Sequence, residues 1–173
     1  MKKYILVTIV CAFVLNIILT IISFMKMIPD KPVIKHGEFP FCLTYEANGD
    51  IYEVKDILLC DYDGFEANAA QGVYRRWKSY LKSGNKRIIL FKNSDIEIFF
   101  SPNINSQEAG AYYMGDREIC DRISISFPNA WYTYDYENKQ VNSYIISSDE
   151  LWETYKIKLL SWNISPPINN TFK

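Results

Sequence analysis

The feature that most constrains this chain lies at its start. From Tyr4 to Met25, between Lys3 and Lys26, 22 residues pass without a charge. As a helix such a run reaches about 33 Å, enough to cross the hydrocarbon core of a bilayer. Thr8, Asn16, Thr20 and Ser23 are its polar interruptions, and hydroxyls can bond back to helix carbonyls. The run is apolar on every face, which fits poorly with a helix half-buried in a soluble domain.

A cleaved signal peptide would have a shorter apolar core, of about 7–15 residues, and a small-x-small site. The following "ISFMKMIP" offers none. A lipoprotein would carry a small residue just before its modified cysteine, whereas Cys11 follows Val10 in mid-run. Residues 1–27 are therefore expected to form an uncleaved signal anchor, a single transmembrane helix. Lys2 and Lys3 favour a cytoplasmic N-terminus, while Lys26, Lys31 and Lys35 pull the other way. A basic head before an apolar run is the usual export signal, and long domains translocate largely regardless of charge. The expected location is the cell membrane, single-pass, with the domain facing outside.

Removing Lys2, Lys3 and Lys26 from the 19 basic residues leaves 16 against 20 acidic ones. That balance argues against nucleic acid, whose phosphates call for a clustered basic surface. The densest basic stretch, "YRRWKSYLKSGNKR" at 74–87, alternates its charges with Trp77, Tyr80 and Leu81. It reads as one solvated face of a strand pair.

Residues 28–38 are rich in proline and read as a linker, followed by a β-rich domain over 39–173. "FPFCLTYE" and "DIYEVKDILLC" flank "ANG", a hairpin signal that sets Cys42 opposite Lys55. "YRRWKSYL" and "KRIILFK" read as a second pair around "KSGN". "NSD" leads on to "IEIFFSP", and "AWYTYDY" and "QVNSYIIS" flank "ENK" as another hairpin. Ser147 and Glu150 stand as a capping box before "SDELWETY", and Leu160, Trp162 and Ile164 then alternate as in a strand. The expected fold is mainly β, an antiparallel sheet or sandwich with one short C-terminal helix, preceded by the transmembrane helix.

"WKSYLKSGN", "AYYMGD", "SFPNAW" and "LLSWNISPP" resemble landmarks of a family of small membrane-anchored envelope proteins of anaerobic Gram-positive bacteria. The resemblance covers roughly residues 31–173. It implies a cell-envelope location and brings no activity, ligand or catalytic residue with it.

His36 is the only histidine, and it falls in the expected linker. A Ser–His–Asp or Cys–His nucleophile needs a histidine fixed in a pocket, and zinc hydrolysis needs nitrogen ligands on a rigid frame. GxxxxGK[ST] and GxGxxG loops are absent. "DYDGFE" at 61–66 gathers Asp61, Asp63 and Glu66 around Gly64, but an EF-hand register would put Leu59 and Ala70 at its key positions. The motif reads as an acidic turn ending the strand over 51–60. Cys42, Cys60 and Cys120 show no CxxC spacing and read as three buried thiols. No catalytic residue, metal or cofactor is expected.

Aromatic residues make up 16 % of the chain. In "AWYTYDY", Trp131 and Thr133 share one strand face and Tyr132 and Tyr134 the other, so one set is core and the other exposed. "AYYMGD" adds Tyr112 and Tyr113 in an expected loop. Tyr112, Tyr113, Trp131 and Tyr134 are the candidate binding residues, since aromatic side chains anchor sugars and protein partners. The expected function is a non-enzymatic binding or interaction module for an unknown protein or wall polymer, with the membrane held by the N-terminal helix. The alternative is a carboxylate-dependent hydrolase acting on cell-wall or host glycans.

Overall fold

The computed structural model describes residues 13–20, 22, 28–68, 72–101, 107–116, 127–135 and 141–173, with backbone alone at 134, 135, 141 and 142. Two antiparallel four-stranded sheets carry the fold. The first is built from β1 (His36–Ala47), β2 (Asp50–Asn68), β3 (Gly72–Leu81) and β8 (Ile157–Ile164), in the order β3-β2-β1-β8. The second runs β4 (Ile88–Lys92), β5 (Ile96–Phe100), β6 (Ala130–Asp135), β7 (Val141–Ile146), in that order. Helix α1 (Gln107–Tyr113) lies between β5 and β6, and α2 (Ser148–Tyr155) leads the chain from the second sheet back to the first. Residues 13–20 are helical, and among the described residues no helix is long and apolar enough to cross a membrane.

Strand β1 alternates cleanly. Phe39, Phe41, Leu43 and Tyr45 are buried, while Glu38 before them and Pro40 among them are exposed. Asn48 and Gly49, at φ 54° and 90°, turn the chain into β2 in the manner of a type I′ hairpin. Cys42 faces Lys55 in the resulting register, as expected.

Both sheets deliver side chains to one core. Phe39, Leu43, Leu58 and Trp77 come from the first, and Ile98, Phe100 and Ile146 from the second. Each such burial contributes about 1.5–3 kcal/mol before the entropy of ordering is subtracted. Trp162 on β8 stitches the layers together, its ring 4.8 Å from Phe41 and 5.1 Å from Phe100. A bulge in the β1–β8 pairing next to Leu160 resets the phase. Trp162 and Ile164 therefore face the core, and Leu160, expected beside them, is exposed.

Four further expectations are corrected. "DYDGFE" does not end a strand: β2 continues to Asn68, and a register shift between Tyr62 and Phe65 absorbs the extra residue beside Gly64. β3 and β4 do not pair with each other; β3 pairs with β2, and β4 opens the other sheet. The cause is local, because Ile57 O accepts from Lys82 N at 2.9 Å and Asp56 Oδ1 from Ser83 N at 3.2 Å. These bonds tie the "KSGN" turn to β2 and steer the chain off the sheet.

The expected linker over 28–38 is not a free tether. Lys31 and Lys173 exchange backbone hydrogen bonds at 2.9 and 2.8 Å, Asn170 brackets Ile34 with both ends of its amide, and His36 opens β1. Finally, the fold has a second short helix besides the expected one. In α1, Ala109, Gly110 and Ala111 are small enough for the helix to press onto β3. The expected helix is α2, where Ser147 Oγ accepts from Glu150 N at 3.2 Å.

Candidate binding surface

Each strand of the second sheet contains two adjacent apolar residues: Ile88–Ile89, Phe99–Phe100, Ala130–Trp131 and Ile145–Ile146. Successive residues of a strand point to opposite faces, so only one of each pair can enter the core. Ile88, Phe100, Ala130 and Ile146 are the buried members. The register aligns the other four into a single row, Ile89–Phe99–Trp131–Ile145, across all four strands of the outer face. Ile89 and Ile145, at the two edges, are 46 % and 47 % exposed, with Phe99 and Trp131 half-buried between them.

A polar row borders this stripe. Glu97 takes Arg87 at 3.1 Å and Lys92 at 2.9 Å, and Thr133 shares a 2.9 Å hydrogen bond with Ser143. The Arg87 guanidinium also lies 4.3 Å over the Phe99 ring. An apolar centre with an aromatic anchor and a charged rim is the composition of a docking surface.

The four sequence candidates separate. Trp131 lies in the exposed row. Tyr113 is buried at the end of α1, 2 % exposed and 5.0 Å from Phe39, so it is core and not contact surface. Burial pushes its phenol up to about 12. Tyr112 is half-buried and packs edge-on against Tyr113. Tyr134 pairs with Ile96 and Asn142 in β6, and its side chain lies outside the described residues. The structure thus brings Trp131 together with Ile89, Phe99 and Ile145, which sequence reasoning missed. The doubled apolar pairs were the signal that could have found them.

The outer face of the first sheet is mixed, with Ile51 exposed at one end and a polar cluster around Asp61 and Asp63 at the other. His36 Nδ1 meets Asp61 Oδ1 at 2.6 Å, Tyr80 donates to Asp61 Oδ2 at 2.5 Å, and Asp63 binds Arg76 at 2.7 Å and Lys78 at 2.9 Å. The hydrogen bond to Asp61 holds the imidazole above its ordinary value. Partial burial pulls the Asp61 carboxyl up, but the bonds from Tyr80 and His36 outweigh it and leave the group below the usual range. Lys78, followed by Arg76, lowers Asp63 likewise. Asp61 and Asp63 of "DYDGFE" are thus engaged with neighbouring side chains. Among the described residues no group of three or more His, Cys, Asp or Glu is placed to hold a metal ion.

Cys60 is buried against Gly37 on β1, and burial pushes its thiol up to about 12. Cys42 is only partly buried, against expectation, because it lies on the outer face of β1. Cys120 lies outside the described residues. No family model matches this chain, and neither a curated protein nor a solved structure is similar to it.

Proposed function

We propose that the chain is a non-enzymatic binding module, held at a cell membrane by the apolar run over residues 4–25 with its β domain outside. The observation that carries the binding reading is the exposed row Ile89–Phe99–Trp131–Ile145. Leaving such side chains in water forgoes about 1.5–3 kcal/mol for each one that could be fully buried, which a partner recovers on docking. The anchor reading is supported by residues 13–20, whose eight helical side chains are all exposed, Phe13, Leu15 and Ile18 among them. The partner is an envelope protein or wall polymer with an apolar contact face.

The test uses full-length protein solubilised from native membranes. Envelope components should co-purify with the wild type and with a Tyr52→Ser control on the first sheet. They should be lost with Trp131→Ala and Ile145→Ser while both variants stay folded, their melting temperatures lowered by no more than the few degrees that about 1–2 kcal/mol implies. Capture unchanged by both row variants would remove the binding reading. Protection of the domain from protease in intact wall-stripped cells would remove the outward topology.

A further inference from the structure

A second, smaller feature lies where the two sheets are joined. Glu46, Pro128, Ser148, Asp149, Trp152 and Lys158 line a cavity of about 620 Å³, with Leu159 as its apolar floor. Its size is that of a small-molecule site, about 300–1,000 Å³. Three elements build it: the end of β1, the first turns of α2 and the start of β8, closed by the turn at Pro128 before β6. Trp152 is 42 % exposed although it belongs to a helix whose Leu151 is wholly buried. The side chains of Glu46, Asp149 and Lys158 make no ion pair or hydrogen bond with a described residue. Glu46 and Lys158 are register partners across β1 and β8, so backbone pairing fixes their spacing.

We infer that this cavity is a saccharide-binding subsite with Trp152 as its platform. The charge pattern selects the ligand. Lys158 lines the cavity and Lys156 Nζ sits 5.8 Å from the Trp152 ring centre, so both ammonium groups repel a cation from the ring. Glu46 and Asp149 repel an anion. The lining carries both signs, so no simple cation or anion matches all of it, whereas a neutral ligand that both donates and accepts hydrogen bonds and has a flat apolar face does. A sugar ring has all three properties: its hydroxyls donate to the carboxylates, accept from Lys158 and Ser148, and its C–H face stacks on the indole. Nothing in this requires the row on the second sheet, and the two sites are tested apart.

The experiment uses the full chain in lipid nanodiscs, which avoid sugar-based detergents. Chitotriose and maltotriose are titrated at up to millimolar concentration by saturation-transfer NMR, with tetramethylammonium and sulfate as charged controls. At least one trisaccharide should bind, and Trp152→Ala should weaken it about tenfold or more, the loss of one aromatic anchor. Asp149→Asn, on an exposed side chain, should weaken it as well without altering the fold. Trp131→Ala should leave it unchanged. The inference fails if neither trisaccharide binds, if binding survives both Trp152→Ala and Asp149→Asn, or if either ion binds in preference.

Discussion

The Asp116 carboxylate receives the Arg75 guanidinium in a two-pronged pair, Nε to Oδ2 at 2.7 Å and Nη2 to Oδ1 at 2.8 Å, and takes a third bond from Trp77 Nε1 at 2.9 Å. Arg75 and Asp116 are 5 % and 0 % exposed, so both charges have left water. The guanidinium also donates to Asp30 O at 3.1 Å and stacks 4.3 Å from the Phe172 ring centre. One arginine thus ties β3 to the end of α1 and to both terminal segments of the domain. Asp116→Ala leaves a buried cation without its anion and should cost about 3–5 kcal/mol, read as a shift in the urea midpoint. A loss under about 1 kcal/mol would mean that water reaches the site.

Helix propensity and packing disagree at Gly110. Replacing a mid-helix glycine by alanine ordinarily stabilises by about 1 kcal/mol. Here the new Cβ would lie 2.8 Å from Trp77 Cβ, with the Lys78 carbonyl at 3.6 Å. Overpacking costs about 1–3 kcal/mol, so Gly110→Ala should lower the melting temperature. A rise would show that α1 can lift off β3 without penalty.

His36 should titrate above 6.5 by NMR, because its bond to Asp61 and the charges of Asp61 and Glu38 favour the imidazolium. Lys78 and Lys82 oppose this from β3 and its turn, each already held by a carboxylate, and Tyr80 donates to Asp61. A raised folded pKa means that the contribution to stability is complete below 6.5 and is lost as pH rises through the folded value. The lowered Asp61 carboxyl works in the opposite sense, losing its contribution as pH falls from 3.8 through its folded value. Asp61→Asn should return the imidazole toward its ordinary value. No change in that titration would show that the pair does not persist in solution.

The aromatic residues should divide by burial. Tyr113→Ala opens a cavity beside Phe39 and should cost about 3–5 kcal/mol, whereas half-exposed Trp131→Ala should cost about 1–2 kcal/mol. Chemical denaturation of the two variants decides this. Equal losses would place both rings in the core.

Much of the architecture was legible because hairpins and caps are local. "ANGD" and the Ser147–Glu150 box dictate their turns through φ and side-chain bonding, whatever packs against them. The pairing of β3 was not legible, since Lys82 and Ser83 bond to Ile57 and Asp56, about 25 residues earlier in the chain. Helix α1 was missed for a related reason. It is a seven-residue element made by contact of Ala109, Gly110 and Ala111 with β3 rather than by its own periodicity. The strand face bearing Trp131 could be listed as one of two, but which of them faced water depended on the other sheet. His36 was misread because its partner, Asp61, lies across a strand pairing that the proline-rich segment gave no reason to extend so far.

On the function proposed above, the outer row of the second sheet meets a partner in the cell. The most direct measurement replaces Ile145 with a photoreactive amino acid in the full-length protein, illuminates intact cells and looks for a crosslinked species. The same residue placed at Tyr52, exposed on the first sheet, is the control. An adduct is expected at 145 that Trp131→Ala abolishes, and none at 52. Absence of any adduct at 145, or one formed equally at 52 and indifferent to Trp131, would contradict it.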